Sequence, residues 1–391
     1  FRVNFKNITM GNFIILFLLC IFIWHHFSES KATIQSPRLG SPYMLLPGES
    51  FEIKFKTFPL FNSNPPLFYL SSEDKGHNFS TDSSRVLLEF ISSEKNVITV
   101  RVPADVSEGS YSLLGPLNLW EPRAVFIYER MPKDFRIFHA ADLPDLDGGD
   151  GEKLFHALLD DVNQEKADLL LLTGDVVYHG GSERYARFYK ALKEKINIPI
   201  LLCPGNHERE DWPEFLKYFP ERIHSRNFGE WQIISLDSGH GRDELSFSQL
   251  NWLESILRSN SSTKKIIQLH HPVLGQKSIE RNANYFLNLL KTYSVTATLS
   301  GHLHGDTFYL SNGEEWRDPY LPDKPWLLTT TTYDFDFAEP DIDGLVFPGY
   351  RILEFQNNEL ISVGKLYPNG RSFMSTKVNL KEKLKNATSS L

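Results

Sequence analysis

Four apolar runs in this chain each stop at a turn that presents Asp, Asn or His. Asp168–Thr173 runs into Gly174-Asp175, and Pro199–Cys203 runs into Pro204-Gly205-Asn206-His207-Glu208. Ile266–Leu269 runs into His270-His271, and Ala297–Ser300 into Gly301-His302-Leu303-His304. A continuous apolar run reads as a strand covered on both faces, and Gly or Pro directly after it reads as a tight turn. Open α/β sheets place their ligands at the carboxyl ends of the strands. Four such ends delivering carboxylate, amide and imidazole point to a metal site. Between them the pattern is helical. Phe155, Leu158, Leu159 and Val162 recur at helical spacing within 151–165, and further helices are expected over Glu183–Lys195 and Ile279–Tyr293. Ser246-Phe-Ser-Gln249 reads as a capping box opening a helix through Leu257. Phe135–Ala141, a strand pair within Phe228–Ser238, and Gly349–Phe355 add strands. The expected fold is α/β, with two sheets faced by helices.

Residues 35–130 have a different texture. Phe51–Lys56 alternates strictly, and Val86–Phe90, Val97–Val102, Tyr111–Leu114 and Ala124–Tyr128 are further short strand candidates. This predicts an all-β sandwich of the immunoglobulin or fibronectin kind, with a structural or substrate-lip role, joined through Met131–Asp134. Ahead of it, Arg2 and Lys6 precede the apolar run Phe13–Trp24, and small residues follow at Ser28, Ser30 and Ala32. That predicts a signal peptide over 1–32, or an uncleaved membrane anchor, and hence a periplasmic or secreted protein. The only cysteines are Cys20 and Cys203, which excludes thiolate metal sites and predicts no disulfide. A formal net charge of −8 leaves no basic footprint for nucleic acid. Membrane contact is expected only through the leader. Sequons at Asn78, Asn260 and Asn386 matter only in a host that glycosylates. Residues 367–391 form a polar, charged tail, and the segment from Trp326 to Phe347, with Tyr333, Asp334 and Asp336, is a candidate rim.

Taken in order, Asp142, Gly174-Asp175, Gly205-Asn206-His207-Glu208, His270 and Gly301-His302-Leu303-His304 resemble the calcineurin-like metallophosphoesterases. The resemblance lies within a domain expected over 135–366 and implies a layered αββα sandwich. It also implies metal ligands. Asp142 and His304 would hold a first ion, Asn206, His270 and His302 a second, and Asp175 would bridge them. Two such ions hold a hydroxide between them and clamp phosphate oxygens. His207 resembles the general acid that protonates the leaving oxygen.

One position departs from the family. Its common first motif is Asp-x-His, and here Pro144 stands where that imidazole would be. Tyr178 is the natural substitute, because Gly174-Asp-Val-Val-Tyr178 is similar to the Gly-Asp-x-x-Tyr of purple acid phosphatases, where a tyrosinate binds ferric iron. The other reading leaves Tyr178 a packed aromatic and the first site weak. The resemblance thus implies ferric iron plus a divalent ion, or alternatively two divalent ions (Mn, Zn or Fe). The expected function is an exported binuclear phosphoesterase resembling acid phosphatases. The alternatives are a phosphodiesterase for nucleotides or phospholipid headgroups, and a non-catalytic binding module that has lost a ligand.

Overall fold

The computed structural model describes residues 34–366, apart from 57–64, 73–84, 117, 147, 240–243, 261–262, 276, 306, 311, 315–325 and 330–348. The leader, the tail, Tyr333, Asp334, Asp336 and the sequons at Asn78 and Asn386 lie outside the described residues.

Two mixed sheets form the centre. The first is ordered Ile200–Cys203, Leu169–Thr173, Phe135–Ala140, Tyr350–Gln356, Glu359–Leu366. Its first three strands run parallel, and the last two form an antiparallel hairpin. The second is ordered His224–Phe228, Trp231–Ser235, Lys264–Gln268, Ala297–Ser300, Trp326–Thr329, Thr307–Leu310, with the inner four parallel. The sheets pack face to face: Ile137, Leu169, Leu171 and Leu201 share one core with Trp231, Ile233, Ile266 and Leu299. Because side chains alternate along a strand, the intervening residues Leu170 and Leu172 face outward, where they are covered by Phe155, Leu158, Phe188 and Leu192. These come from the helices Asp150–Gln164 and Ser182–Lys195. On the far side, Ile234, Ile267 and Leu327 meet the helices Phe247–Ser259 and Ala283–Thr292. The four layers are helix, sheet, sheet, helix. Burying each Leu of the run 169–172 contributes about 1.5–3 kcal/mol.

Three expectations are corrected. The last helix begins at Ala283, not Ile279, because Asn282 adopts a left-handed conformation (φ 67°) and turns the chain into it. The capping box is half made: Ser246 Oγ accepts the Gln249 N–H at 3.3 Å, but the Gln249 amide instead spans the backbone of Asp237. Trp326 is not a rim residue. It opens a buried strand paired in parallel with 297–300, since Trp326–Thr329 is apolar enough to sit inside the second sheet.

The N-terminal strands form two further sheets, ordered Ile34–Ser36, Ser50–Phe55, Val97–Arg101, Glu89–Glu94 and Tyr43–Leu45, Leu119–Ile127, Gly109–Gly115, Tyr69–Ser72, Arg85–Leu87. They enclose one core that includes Ile53, Phe55, Phe68, Ile98, Leu113 and Val125. The expected strand 86–90 is divided at Leu88 between the two sheets. This unit is docked on the α/β layers. Gly40 bridges to Leu201, with its carbonyl accepting the Leu202 N–H at 2.9 Å. The buried Arg226 guanidinium donates to Pro42 O, Ser41 O, Ser36 Oγ and Glu221. Cys203 is buried and free. Among the described residues no helix is long and apolar enough to cross a membrane.

Candidate metal centre

The carboxyl ends of five parallel strands converge on one point between the two sheets. His270 Nε2 lies 3.0 Å from Asp175 Oδ2, 3.1 Å from Asn206 Oδ1 and 3.2 Å from His302 Nδ1. Four donor atoms from four separate loops thus crowd into a single space. Asp142 Oδ1 is 4.0 Å from the same His270 nitrogen and 3.7 Å from His304 Nε2. The six residues that the sequence singles out as ligands, Tyr178 apart, are therefore brought together, with Asp175 and Asp142 in the middle.

Backbone conformation supports a special role for these positions. Asp142, Asp175, His302 and His304 all adopt positive φ, between 50° and 67°. Non-glycine residues seldom do so, and such conformations cluster at functional sites where the surrounding fold imposes them. Two glycines make the crowding possible. A Cβ on Gly205 would occupy the place of the Asp175 carboxylate, and one on Gly301 would come within 2.7 Å of Asp142 Oδ2.

The imidazoles are held with nitrogens turned inward. Thr173 O accepts the Nδ1–H of His270 at 2.8 Å, which turns Nε2 toward the cluster. Burial opposes charge on His270, yet the Asp175 and Asp142 carboxylates hold its ring up at about 10. Burial and the neighbouring His270 push His302 down to about 2. Burial pushes Asp175 up, but His270 and His207 bring it well below the usual carboxylate range. Buried carboxylates that draw a proton onto a buried imidazole define a space that favours positive charge. That charge balance, with O and N donors, fits divalent or trivalent first-row ions.

His207 borders this space. Its backbone N–H donates to Asp175 Oδ1 at 3.0 Å, and its Nε2 is 3.9 Å from Asp175 Oδ2. Its side chain is 18% exposed, so the ring is reachable from solvent. Tyr178 packs on it, with ring centroids 4.0 Å apart and the planes tilted by 35°. The structure thus places Tyr178 against the residue that follows Asn206. Position 144 supplies no donor, and neighbouring Asp145 turns away to His179 (2.9 Å) and Arg184 (3.0 Å).

Two participants carry no role in the sequence reading. Glu208 is fully buried and accepts four backbone N–H groups: Gly205 (2.7 Å) and Asp175 (2.8 Å) at one oxygen, Val176 (2.9 Å) and Val177 (3.3 Å) at the other. It clamps the Asp175 loop to the Asn206 loop. Burial and Asp175 push its carboxyl up, while the N–H groups pull the other way. Its local signal is the spacing from Gly205 to Glu208, that of an N-cap and its third helical residue. His271 packs beside His302, ring centroids 4.2 Å apart, with its Nδ1 2.8 Å from Ser238 Oγ.

Residues 135–306 match the family model of the calcineurin-like phosphoesterases. Over 219 residues the chain is 29% identical to the 3′,5′-cyclic adenosine monophosphate phosphodiesterase CpdA of Haemophilus influenzae, covering 52% of this chain and 77% of that protein. It is 31% identical over 157 residues to a probable glycerophosphodiester phosphodiesterase, GpdQ, of Arcobacter nitrofigilis, covering 36% of this chain and 57% of that one. Among solved structures, a purple acid phosphatase from yellow lupin (Lupinus luteus) seeds superposes with a TM-score of 0.52 at 12% identity, over 84% of this chain and 72% of that one. That last likeness is one of fold.

Proposed function

We propose that the protein is a binuclear metal-dependent phosphodiesterase whose catalytic domain is the part that matches the calcineurin-like phosphoesterase model, residues 135–306. The observation that carries this reading is the convergence of Asp175, Asn206 and His302 donor atoms within 3.0–3.2 Å of His270 Nε2, with Asp142 and His304 alongside. A converged donor set with Asp175 and His207 in place argues against the non-catalytic binding module. The similar proteins in sequence carry phosphodiesterase names, whereas likeness to the lupin acid phosphatase is confined to fold. The weight therefore moves from the acid-phosphatase reading to the diesterase.

When bound, two ions supply Lewis acidity toward phosphate oxygens and activate water at neutral pH. Asp142 and His304 would hold one, Asn206, His270 and His302 the other, and Asp175 both. Tyr178, which packs on His207 beside the centre, would complete the first set in place of the residue that Pro144 cannot supply. Three anionic oxygens and one nitrogen favour ferric iron there, and the less anionic second set favours a divalent ion. The protein's own groups do the rest. Thr173 O fixes the His270 tautomer, Glu208 fixes the two loops, and His207, held by Asp175 and Tyr178, gives a proton to the leaving oxygen. The N-terminal sheets, read as an immunoglobulin- or fibronectin-like accessory sandwich, brace the layers through Arg226. The apolar run Phe13–Trp24 behind Arg2 and Lys6 supports export; fusing 1–40 to a reporter and finding it retained in the cytoplasm would remove that part.

The test is turnover. Purified protein loaded with Mn, Zn or Fe is expected to hydrolyse bis(p-nitrophenyl) phosphate with a higher kcat/KM than p-nitrophenyl phosphate. A reversed preference would restore the monoesterase reading. Absence of turnover on both, with two ions bound, would end the enzymatic one.

A further inference from the structure

A cavity of about 520 Å³ that the chemistry above does not use is lined by residues close in sequence to those of the metal centre. Its wall includes Arg209, Arg222, Asp237, Ser246, Gln249 and Trp252. Two chain segments link it to the centre. Arg209 follows His207 by two residues on the short helix Asn206–Glu210. Asp237 precedes Ser238, the residue that holds His271 beside His302.

The two guanidiniums are fixed side by side. Both donate to the same oxygen, Asp237 Oδ2, at 2.5 Å from Arg209 and 2.6 Å from Arg222. Both also lie over the ring of Trp212, at 4.9 and 5.0 Å. Asp237 is itself immobilised: Gln249 bonds its N–H and its carbonyl, each at 2.8 Å, and its second oxygen accepts the Gly239 N–H at 3.1 Å. One carboxylate offsets one of two cations. Among the described residues of the wall the other acid, Glu244, is paired with Arg281. Among the described residues, Arg209, Arg222 and Arg281 exceed Asp237 and Glu244 by one positive charge. Each guanidinium has five N–H donors and gives one to Asp237. Arg209 Nε is buried with no hydrogen-bond partner among the described residues. Paired, preoriented guanidiniums suit a phosphate, whose several oxygens take parallel N–H bonds. Trp252 offers the apolar surface over which the rest of a ligand can lie.

The geometry points to a recognition site for a second phosphate, carried on an ester arm of the substrate, with Arg209 and Arg222 as its donors. This rests on the phosphodiesterase reading, with the scissile phosphate at the metal centre. The protein's preferred substrates are then diesters bearing another phosphate, and Arg222 determines specificity without touching the reacting atoms.

The experiment uses the metal-loaded protein and two esters that differ only in that group: thymidine 3′-phosphate 5′-(p-nitrophenyl phosphate) and thymidine 5′-(p-nitrophenyl phosphate). The first is expected to have a kcat/KM about tenfold higher or more, the worth of charge-assisted hydrogen bonds to one anion. Arg222→Gln is expected to bring the ratio near one. Calorimetric binding of thymidine 3′,5′-bisphosphate against thymidine 5′-phosphate checks the same contact without catalysis, and Arg222→Gln should erase that preference too. Equal kcat/KM and equal affinity for both members of each pair would overturn the site. A binding preference without a turnover preference would mean that the phosphate comes from a separate ligand, which overturns its assignment to the substrate. If neither ester is turned over while the bisphosphate still binds more tightly through Arg222, the phosphodiesterase reading has failed and the anion site stands.

Discussion

Glu208→Gln tests how the centre is held. The carboxylate receives four backbone N–H groups, two at each oxygen. Glutamine keeps the shape but only one oxygen. Whichever way its amide turns, two N–H groups face an NH2 in a fully buried place. Each unsatisfied buried donor costs about 1–3 kcal/mol, so the substitution should destabilise the metal-free protein by about 2–6 kcal/mol. Three of the four N–H groups belong to Asp175, Val176 and Val177, so the damage falls on the loop carrying the bridging carboxylate. The assay is urea unfolding of the metal-free protein at pH 8, above the raised Glu208 value of about 7, with metal content measured on a second sample. A lower midpoint at unchanged slope, and fewer than two ions per chain, are expected. A midpoint shift equivalent to less than about 0.5 kcal/mol, the range of ordinary surface changes, with both ions retained, would refute the clamp.

Asp175→Asn should cost both ions while the fold survives, because a neutral amide cannot balance two cations; atomic absorption finding two ions per chain would contradict the bridge. His207→Ala should keep both ions and lower the rate by about 10²–10⁴, with a smaller loss for esters whose leaving group is already good. An equal loss across leaving groups would remove its acid role. Protein produced with iron should be coloured through a phenolate–ferric band, and Tyr178→Phe should bleach it; colourless native protein holding two divalent ions would leave Tyr178 a packing residue. Stability should fall in acid. Burial, together with Arg351 and Arg226 respectively, lowers His139 and His224 to about 3. The unfolded chain, titrating near 6.5, takes up those protons first. Their contribution is complete above pH 6.5 and lost as pH falls toward 3. A flat urea midpoint between pH 6.5 and 4 would show that these rings are not held neutral.

The central strands, and the residues that meet where those strands end, were legible because each is written locally. An apolar run sets a strand, and Gly or Pro beside Asp, Asn or His sets its end. Leu169–Thr173 followed by Gly174-Asp175 needs no distant partner to be read. The start of the last helix was misplaced because Ile279 is apolar for the core, not for a helix face, and the left-handed turn at Asn282 has no periodic signal. Gln249 looked like a capping residue because sequence shows who is three positions away, not that Asp237 lies closer in space. Only the folded chain decided that His270 presents Nε2, since the deciding acceptor, Thr173 O, comes from another strand. The same holds for the four N–H groups on Glu208, for Arg226 tying Ser36, Ser41 and Pro42 to the α/β layers, and for two guanidiniums meeting on Asp237. Spacing along the chain can nominate donors; which atoms they share depends on contacts between residues far apart in sequence, and those exist only once the sheets have packed.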